Sequence, residues 1–138
     1  MRNCDRPPVD CYGVMDGARS RSQIGALAEK FVVEHITSLG WHFLERNVRV
    51  GHYEIDILAK DGRTLVIVEV RHRGGGSLTS GFGSLTAGKQ TRVRRAGERL
   101  WHSRFRHDPT VDHMRFDAAS VHFGPDGQAS IEYAMAAF

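Results

Sequence analysis

Tyr53-Glu-Ile-Asp-Ile-Leu-Ala-Lys-Asp-Gly-Arg-Thr-Leu-Val-Ile-Val-Glu-Val-Arg71 is the stretch from which the rest of the chain is read. Two runs rich in Ile, Val and Leu flank Asp61-Gly62. An Asp-Gly pair between such runs predicts a tight β-hairpin, because both central positions of the favoured turn need φ > 0. With the two-residue turn at Asp61-Gly62, Glu54 faces Glu69 and Asp56 lies one diagonal step away. Alternation with period two then sets Glu54, Asp56, Glu69 and Arg71 on one face of the sheet.

Three carboxylates beside one guanidinium raise one another's pKa, and a buried carboxylate without compensation is strongly destabilising. A divalent cation relieves both problems, and hard oxygen donors suit Mg²⁺ or Mn²⁺. The plain alternative is a solvated sheet face with an ordinary Arg–Glu cross-strand pair.

Asp56, the hairpin that follows it, and Glu69-Val70-Arg71 resemble the D…(D/E)xK core of the restriction-endonuclease-like nucleases. More closely, the chain resembles the YraN-like family of small bacterial proteins assigned to that superfamily. The matching pieces are Gly25-Ala-Leu-Ala-Glu29, Gly40-Trp41, Glu45-Arg-Asn47, Glu54-Ile-Asp56, Leu65 to Arg71, Lys89 and Arg115-Phe-Asp117, which cover roughly residues 22–122 in family order. This is far more specific than the D…ExK pattern alone. The resemblance implies an α/β fold with a restriction-endonuclease-like core, a mixed central β-sheet flanked by helices in the order αβββαββ. It also implies that Asp56 and Glu69 hold the metal with help from the Val70 carbonyl. Glu29 or Glu54 would complete the shell, directly or through water.

The chain's 138 residues suit one domain with a single core. No apolar run is long enough to span a bilayer. Residues 1–21 carry both cysteines, two prolines and no periodic pattern, and they lack the apolar region of a signal peptide. They read as a flexible tail on a cytoplasmic protein, followed by a domain over 22–138. Cys4 and Cys11 have no nearby His and read as free thiols rather than a zinc site.

From Ser22 to Leu39 the apolar positions Ile24, Leu27, Ala28, Phe31, Val32, Ile36 and Leu39 predict an amphipathic helix. Ser20 or Ser22 caps its start, and Gly40 suits the left-handed turn that ends it. Glu29 borders the buried stripe; the resemblance assigns it to the active-site cluster, where most helical glutamates are simply solvated. Trp41 to Val50 reads as the first strand, with Arg46 and Arg49 solvated. The glycine- and serine-rich run Gly74 to Gly83 reads as a mobile loop that either covers a substrate or merely connects. Gly83 to Lys89 approaches a phosphate-binding P-loop. Gln90 stands where Ser or Thr should be, however, and no strand precedes it, so ATP binding is not expected.

A second helix is expected from about Thr86 to Trp101, with Val93, Ala96, Leu100 and Trp101 on the core side. Between residues 86 and 107 stand Lys89, Arg92, Arg94, Arg95, Arg99, Arg104 and Arg106 against the single acid Glu98. Seven cations and one acid give +6, which leaves −3 for the rest of a chain whose total is +3. Charge is therefore segregated into a basic surface and an acidic pocket. Phosphate backbones bind such clusters by neutralisation and counterion release, so Lys89, Arg92, Arg95 and Arg99 read as a nucleic-acid footprint. An exposed helix with stabilising arginines is the plain reading. Met114 to His122 and Ala129 to Met135 read as the last two strands, Arg115 and Asp117 as a structural ion pair, and the eight histidines as surface residues.

The leading expectation is a metal-dependent nuclease hydrolysing phosphodiester bonds, its partner nucleic acid, DNA before RNA. Two copies would assemble as a homodimer if two strands are cut. Arg71 departs from the motif's lysine: it stays protonated and cannot be a general base, but it can stabilise charge developing on phosphate. The alternatives are a binding module of the same fold without turnover, or an adaptor whose basic helix meets an acidic protein.

Overall fold

The computed structural model describes residues 20–73, 86–126 and 128–138. Cys4, Cys11, the rest of residues 1–19 and the Gly74–Gly83 loop lie outside them. The order of elements is α1 (Arg21–Ser38), β1 (His42–Val50), β2 (Tyr53–Asp61), β3 (Thr64–Arg73), α2 (Ala87–Leu100), β4 (His113–Phe123) and β5 (Ala129–Ala134). Helix α2 widens at its end into a π-helical turn over Trp101–Phe105. The expected αβββαββ order is the observed one.

The five strands form one sheet in the order β1-β2-β3-β4-β5. Neighbours are antiparallel except for the parallel pair β3–β4, so the sheet is mixed and α2 lies in the β3-to-β4 crossover. Strand β3 is buried on both faces, which explains its unbroken apolar run. Val66 and Val68 pack with Ala28, Phe31, Val32 and Ile36 of α1, while Leu65 and Ile67 pack with Val93, Ala96 and Leu100 of α2.

Local signals set the helix ends. Helix α1 starts at Arg21, one residue before the expected Ser22, and of the two expected caps Ser20 is the one used: Ser20 Oγ accepts from Gln23 N at 3.2 Å and Gln23 Oε1 accepts from Ser20 N at 2.8 Å, a capping box. At the other end Gly40, at φ +87°, gives its N–H to Thr37 O, and Trp41 N–H reaches back to Ile36 O. This is a Schellman closure, and it ends the helix before Leu39, which stays exposed instead of completing the buried stripe.

The hairpin forms, but its turn lies one residue later than expected. Asp61 pairs with Thr64, so Gly62 and Arg63 make the loop, and of the two only Gly62 is left-handed, at φ +59°. Glycine at the first loop position with an ordinary second residue is the type II′ pattern. The register moves by two, and Glu54 does not face Glu69. The pairing ends at Ile57–Val68, and Asp56 and Glu69 are the next residues beyond it on the two strands.

At the far edge Asp117 is fully buried. It accepts two bonds from Arg115, at 2.8 and 2.9 Å, one from Tyr133 Oη at 2.7 Å and one from Ala136 N at 2.9 Å. Arg115 also reaches Asp61 at 3.0 Å and lies over the Trp41 ring. The expected Arg115–Asp117 pair is thus structural, tying the C-terminal strand to the hairpin.

Candidate functional site

Regular pairing of β1 with β2 shifts between Phe43 and Glu45, and alternation in β2 fails again further along. Ile55 packs into the α2-side core and Ile57, two positions on, into the α1-side core. Opposite the break stands Asn47, whose φ of 54° is left-handed, a conformation that Asn tolerates better than most residues. Beyond the Ile57–Val68 pair β2 and β3 are no longer paired, which leaves a fork between them. The Asp56 carboxylate enters this fork, where its Oδ2 accepts the Val70 N–H at 2.8 Å.

Glu69 follows Val68 and is almost fully buried. Its Oε2 accepts from Tyr53 Oη at 2.9 Å, and its Oε1 lies 2.6 Å from Lys89 Nζ. Burial first, then the Glu69 and Glu29 charges, push the Asp56 carboxyl up to about 8, with the Val70 N–H and Lys89 pulling the other way. Burial also raises Tyr53, followed by the Glu69 charge and the hydrogen bond to it.

Glu29 reaches the same end of the sheet from α1. Its carboxyl is raised by burial and by Glu54 and Glu69, and Arg46 and Asn47 oppose this. Arg46 Nη2 lies 3.8 Å from Glu29 Oε2, so Arg46 is not the solvated side chain expected from sequence. The Asn47 amide, with its nitrogen donating, spans Glu29 Oε1 and Glu54 Oε1 at 3.2 Å each. Glu54 is the exposed member and has Arg49 at 3.9 Å.

The structure therefore gathers Asp56, Glu69, Glu29 and Glu54 at the open end of the hairpin, with half-buried Arg71 on the next turn of the same strand. Lys89, expected on the outward basic surface, turns inward instead. Thr86 caps α2 through Lys89 N at 3.2 Å, which holds Lys89 in the first turn and brings its ammonium and the helix's positive end to the carboxylates. Tyr53, Asn47 and Arg46 were given no role in the cluster from sequence. The one available signal was Asn47 itself, a residue suited to left-handed backbone inside a strand-like run.

Arg92, Arg94, Arg95 and Arg99 are exposed on α2 while Val93, Ala96, Gly97 and Leu100 are buried. Arg99 lies over the β1–β2 turn: a Cβ added to Gly51, itself at φ +61°, would come 2.7 Å from Arg99 Nη1. Arg104 is taken up by Glu45 at 2.9 Å.

Two carboxylates with a strained proton balance form a donor set that suits a hard divalent cation. Among the described residues no three His, Cys, Asp or Glu side chains already stand in metal-binding proximity, and Lys89 and Tyr53 occupy both Glu69 oxygens. No described helix is long and apolar enough to cross a membrane.

Residues 28–121 match the model of the uncharacterised protein family UPF0102. The chain belongs to that family. It is the family that the YraN-like motifs resemble. A UPF0102 protein of Sorangium cellulosum is 50% identical over 121 residues, covering 88% of this chain and 84% of its own length. Another, from Symbiobacterium thermophilum, is 35% identical over 116 residues, covering 84% and 96%. Among solved structures, a repair endonuclease from Pyrococcus abyssi aligns with a TM-score of 0.37 at 14% identity, and Pyrococcus furiosus SfsA in complex with Ca²⁺ with a TM-score of 0.42 at 12% identity. Each alignment covers 83% of this chain, which spans 42% and 63% of those two chains respectively.

Proposed function

We propose that this UPF0102 protein is a metal-dependent nuclease, with DNA before RNA as its substrate. The observation that carries the reading is the Asp56 carboxyl, held in the strand fork beside Glu69 and pushed up to about 8. Carboxylates held so far from their ordinary ionisation cluster at functional sites, and this one lies near the first turn of a helix with an exposed basic face. Asp56 and Glu69 are the proposed ligands of Mg²⁺ or Mn²⁺, with the Val70 carbonyl and Glu54 or Glu29 completing the set. When bound, the ion polarises the scissile phosphate and makes water a better nucleophile. Arg92, Arg95 and Arg99 hold the phosphate backbone, and Arg71 stabilises charge on it.

A second reading, a nucleic-acid-binding module without turnover, is favoured by Lys89, which balances Glu69 directly. One experiment separates the two. Purified wild type is incubated with duplex, flap, junction and single-stranded DNA and with RNA, in Mn²⁺ or Mg²⁺, beside Asp56→Ala and Glu69→Ala. Cleavage by wild type and none by folded variants supports the nuclease. If wild type leaves every substrate intact yet retains them on a filter, the binding module stands instead.

A further inference from the structure

We infer that Lys89, delivered from the first turn of α2, is a second catalytic cation of this site and adds a concentrated ammonium charge to the spread charge of Arg71. The inference rests on the nuclease reading and adds a residue to it. The pattern Glu69-Val70-Arg71 leaves the fork without a lysine on its own strand. Arginine spreads its charge over a planar fork, whereas an ammonium concentrates charge at one atom with three donors.

The structure brings one lysine to the place. Lys89 Nζ is 2.6 Å from Glu69 Oε1, on the opposite side of that carboxylate from the Tyr53 hydroxyl, and its side chain is 27% exposed. One donor directed at Glu69 leaves two for a group arriving from solvent. Its stem is fixed by the Thr86 cap and by the burial of Val93 and Ala96 further along the helix. A lysine serving only a surface footprint would point away with Arg92 and Arg95, which are exposed.

In the cleavage step the water oxygen forms the new P–O bond and the ester P–O bond breaks. The water's proton leaves to solvent, and the departing oxygen takes a proton from solvent. Lys89 remains an ammonium throughout, donating to the phosphate oxygen on which negative charge grows.

The test compares wild type, Lys89→Met and Lys89→Arg in single-turnover cleavage, in affinity for the same oligonucleotide, and in calorimetric Mn²⁺ affinity without nucleic acid. Removing one preorganised donor to a developing oxyanion slows reactions by about 10²–10³-fold, and that loss is expected for Lys89→Met. Oligonucleotide affinity should fall by no more than about threefold, as one phosphate contact among several. Mn²⁺ should bind more tightly, because the ammonium no longer competes for Glu69 Oε1. Lys89→Arg keeps an ion pair with Glu69 and should recover melting temperature but not rate. Cleavage by Lys89→Met at the wild-type rate, full rate recovery by Lys89→Arg, or Mn²⁺ affinity in Lys89→Met no tighter than wild type each overturns the assignment while leaving the nuclease standing. A wild type that cleaves nothing overturns both.

Discussion

Substituting Asn for Asp56 should stabilise the metal-free protein above about pH 4, by an amount that grows until about pH 8. Asn keeps the shape of the side chain and an oxygen for the Val70 N–H, but removes the charge. The folded carboxyl holds its proton to about pH 8 against an ordinary value of 3.8. Below about pH 4 the group is protonated in both folded and unfolded chains, and the variant gains nothing. As pH rises, the unfolded carboxyl ionises first, so stability associated with the proton is lost steadily until the folded group also ionises near pH 8, and the difference is constant above that. At about 1.4 kcal/mol for each tenfold change in proton affinity, the ceiling is about 6 kcal/mol. Relaxation of the fork and water reaching the charged group reduce it, so about 1–3 kcal/mol is expected at pH 9. For a domain of this length that corresponds to a melting temperature about 3–10 °C above wild type. Thermal melts of both proteins in chelator from pH 4 to 9 measure it, and added Mn²⁺ should close the gap by stabilising wild type alone. Parallel curves across this range, or an Asn variant less stable at pH 9, would refute the claim that the carboxylate is crowded.

Gly97 on α2 admits no side chain, since an added Cβ would sit 2.6 Å from a Phe116 ring carbon and 2.7 Å from Ile67 Cδ1. Gly97→Ala should lose about 1–3 kcal/mol in urea unfolding, and an unchanged midpoint would mean that α2 rides further from the sheet. Asn47→Gly should be more stable than Asn47→Ala by about 1 kcal/mol, because only glycine takes the left-handed backbone freely. Equal stabilities would remove the backbone argument for the fork. Reversing Arg92, Arg95 and Arg99 together to Glu should abolish retention on DNA and flatten its salt dependence; retention equal to wild type at every ionic strength would take the footprint off α2.

The large features of the fold were legible because each rests on one local signal. Period gave α1 and α2, the Asp-Gly pair gave a hairpin, and Ser20 and Gly40 marked helix ends. The register differs by two from the one that an Asp61-Gly62 loop implies, because Gly62-Arg63 forms the loop and one positive φ suffices. Asp56 and Glu69 could be named from residue types, yet the left-handed Asn47 and the change of side between Ile55 and Ile57 break the alternation on which a sequence reading relies. Lys89 was read as one cation among seven; its inward direction depends on where the first turn of α2 docks. Arg46 and Tyr53 were missed for the same reason, since their partners are distant in sequence and strand alternation alone does not find them.

The hydrogen bond from Val70 to Asp56 makes one main-chain amide a spectator of whatever happens to that carboxylate. In a ¹⁵N-labelled sample the Val70 resonance should move as the acid gains a proton, and move again when an ion claims the same oxygen. Proton uptake and ion capture thus share one reporter that needs no substrate, no dye and no turnover. The protein carries its own gauge of site occupancy in its backbone.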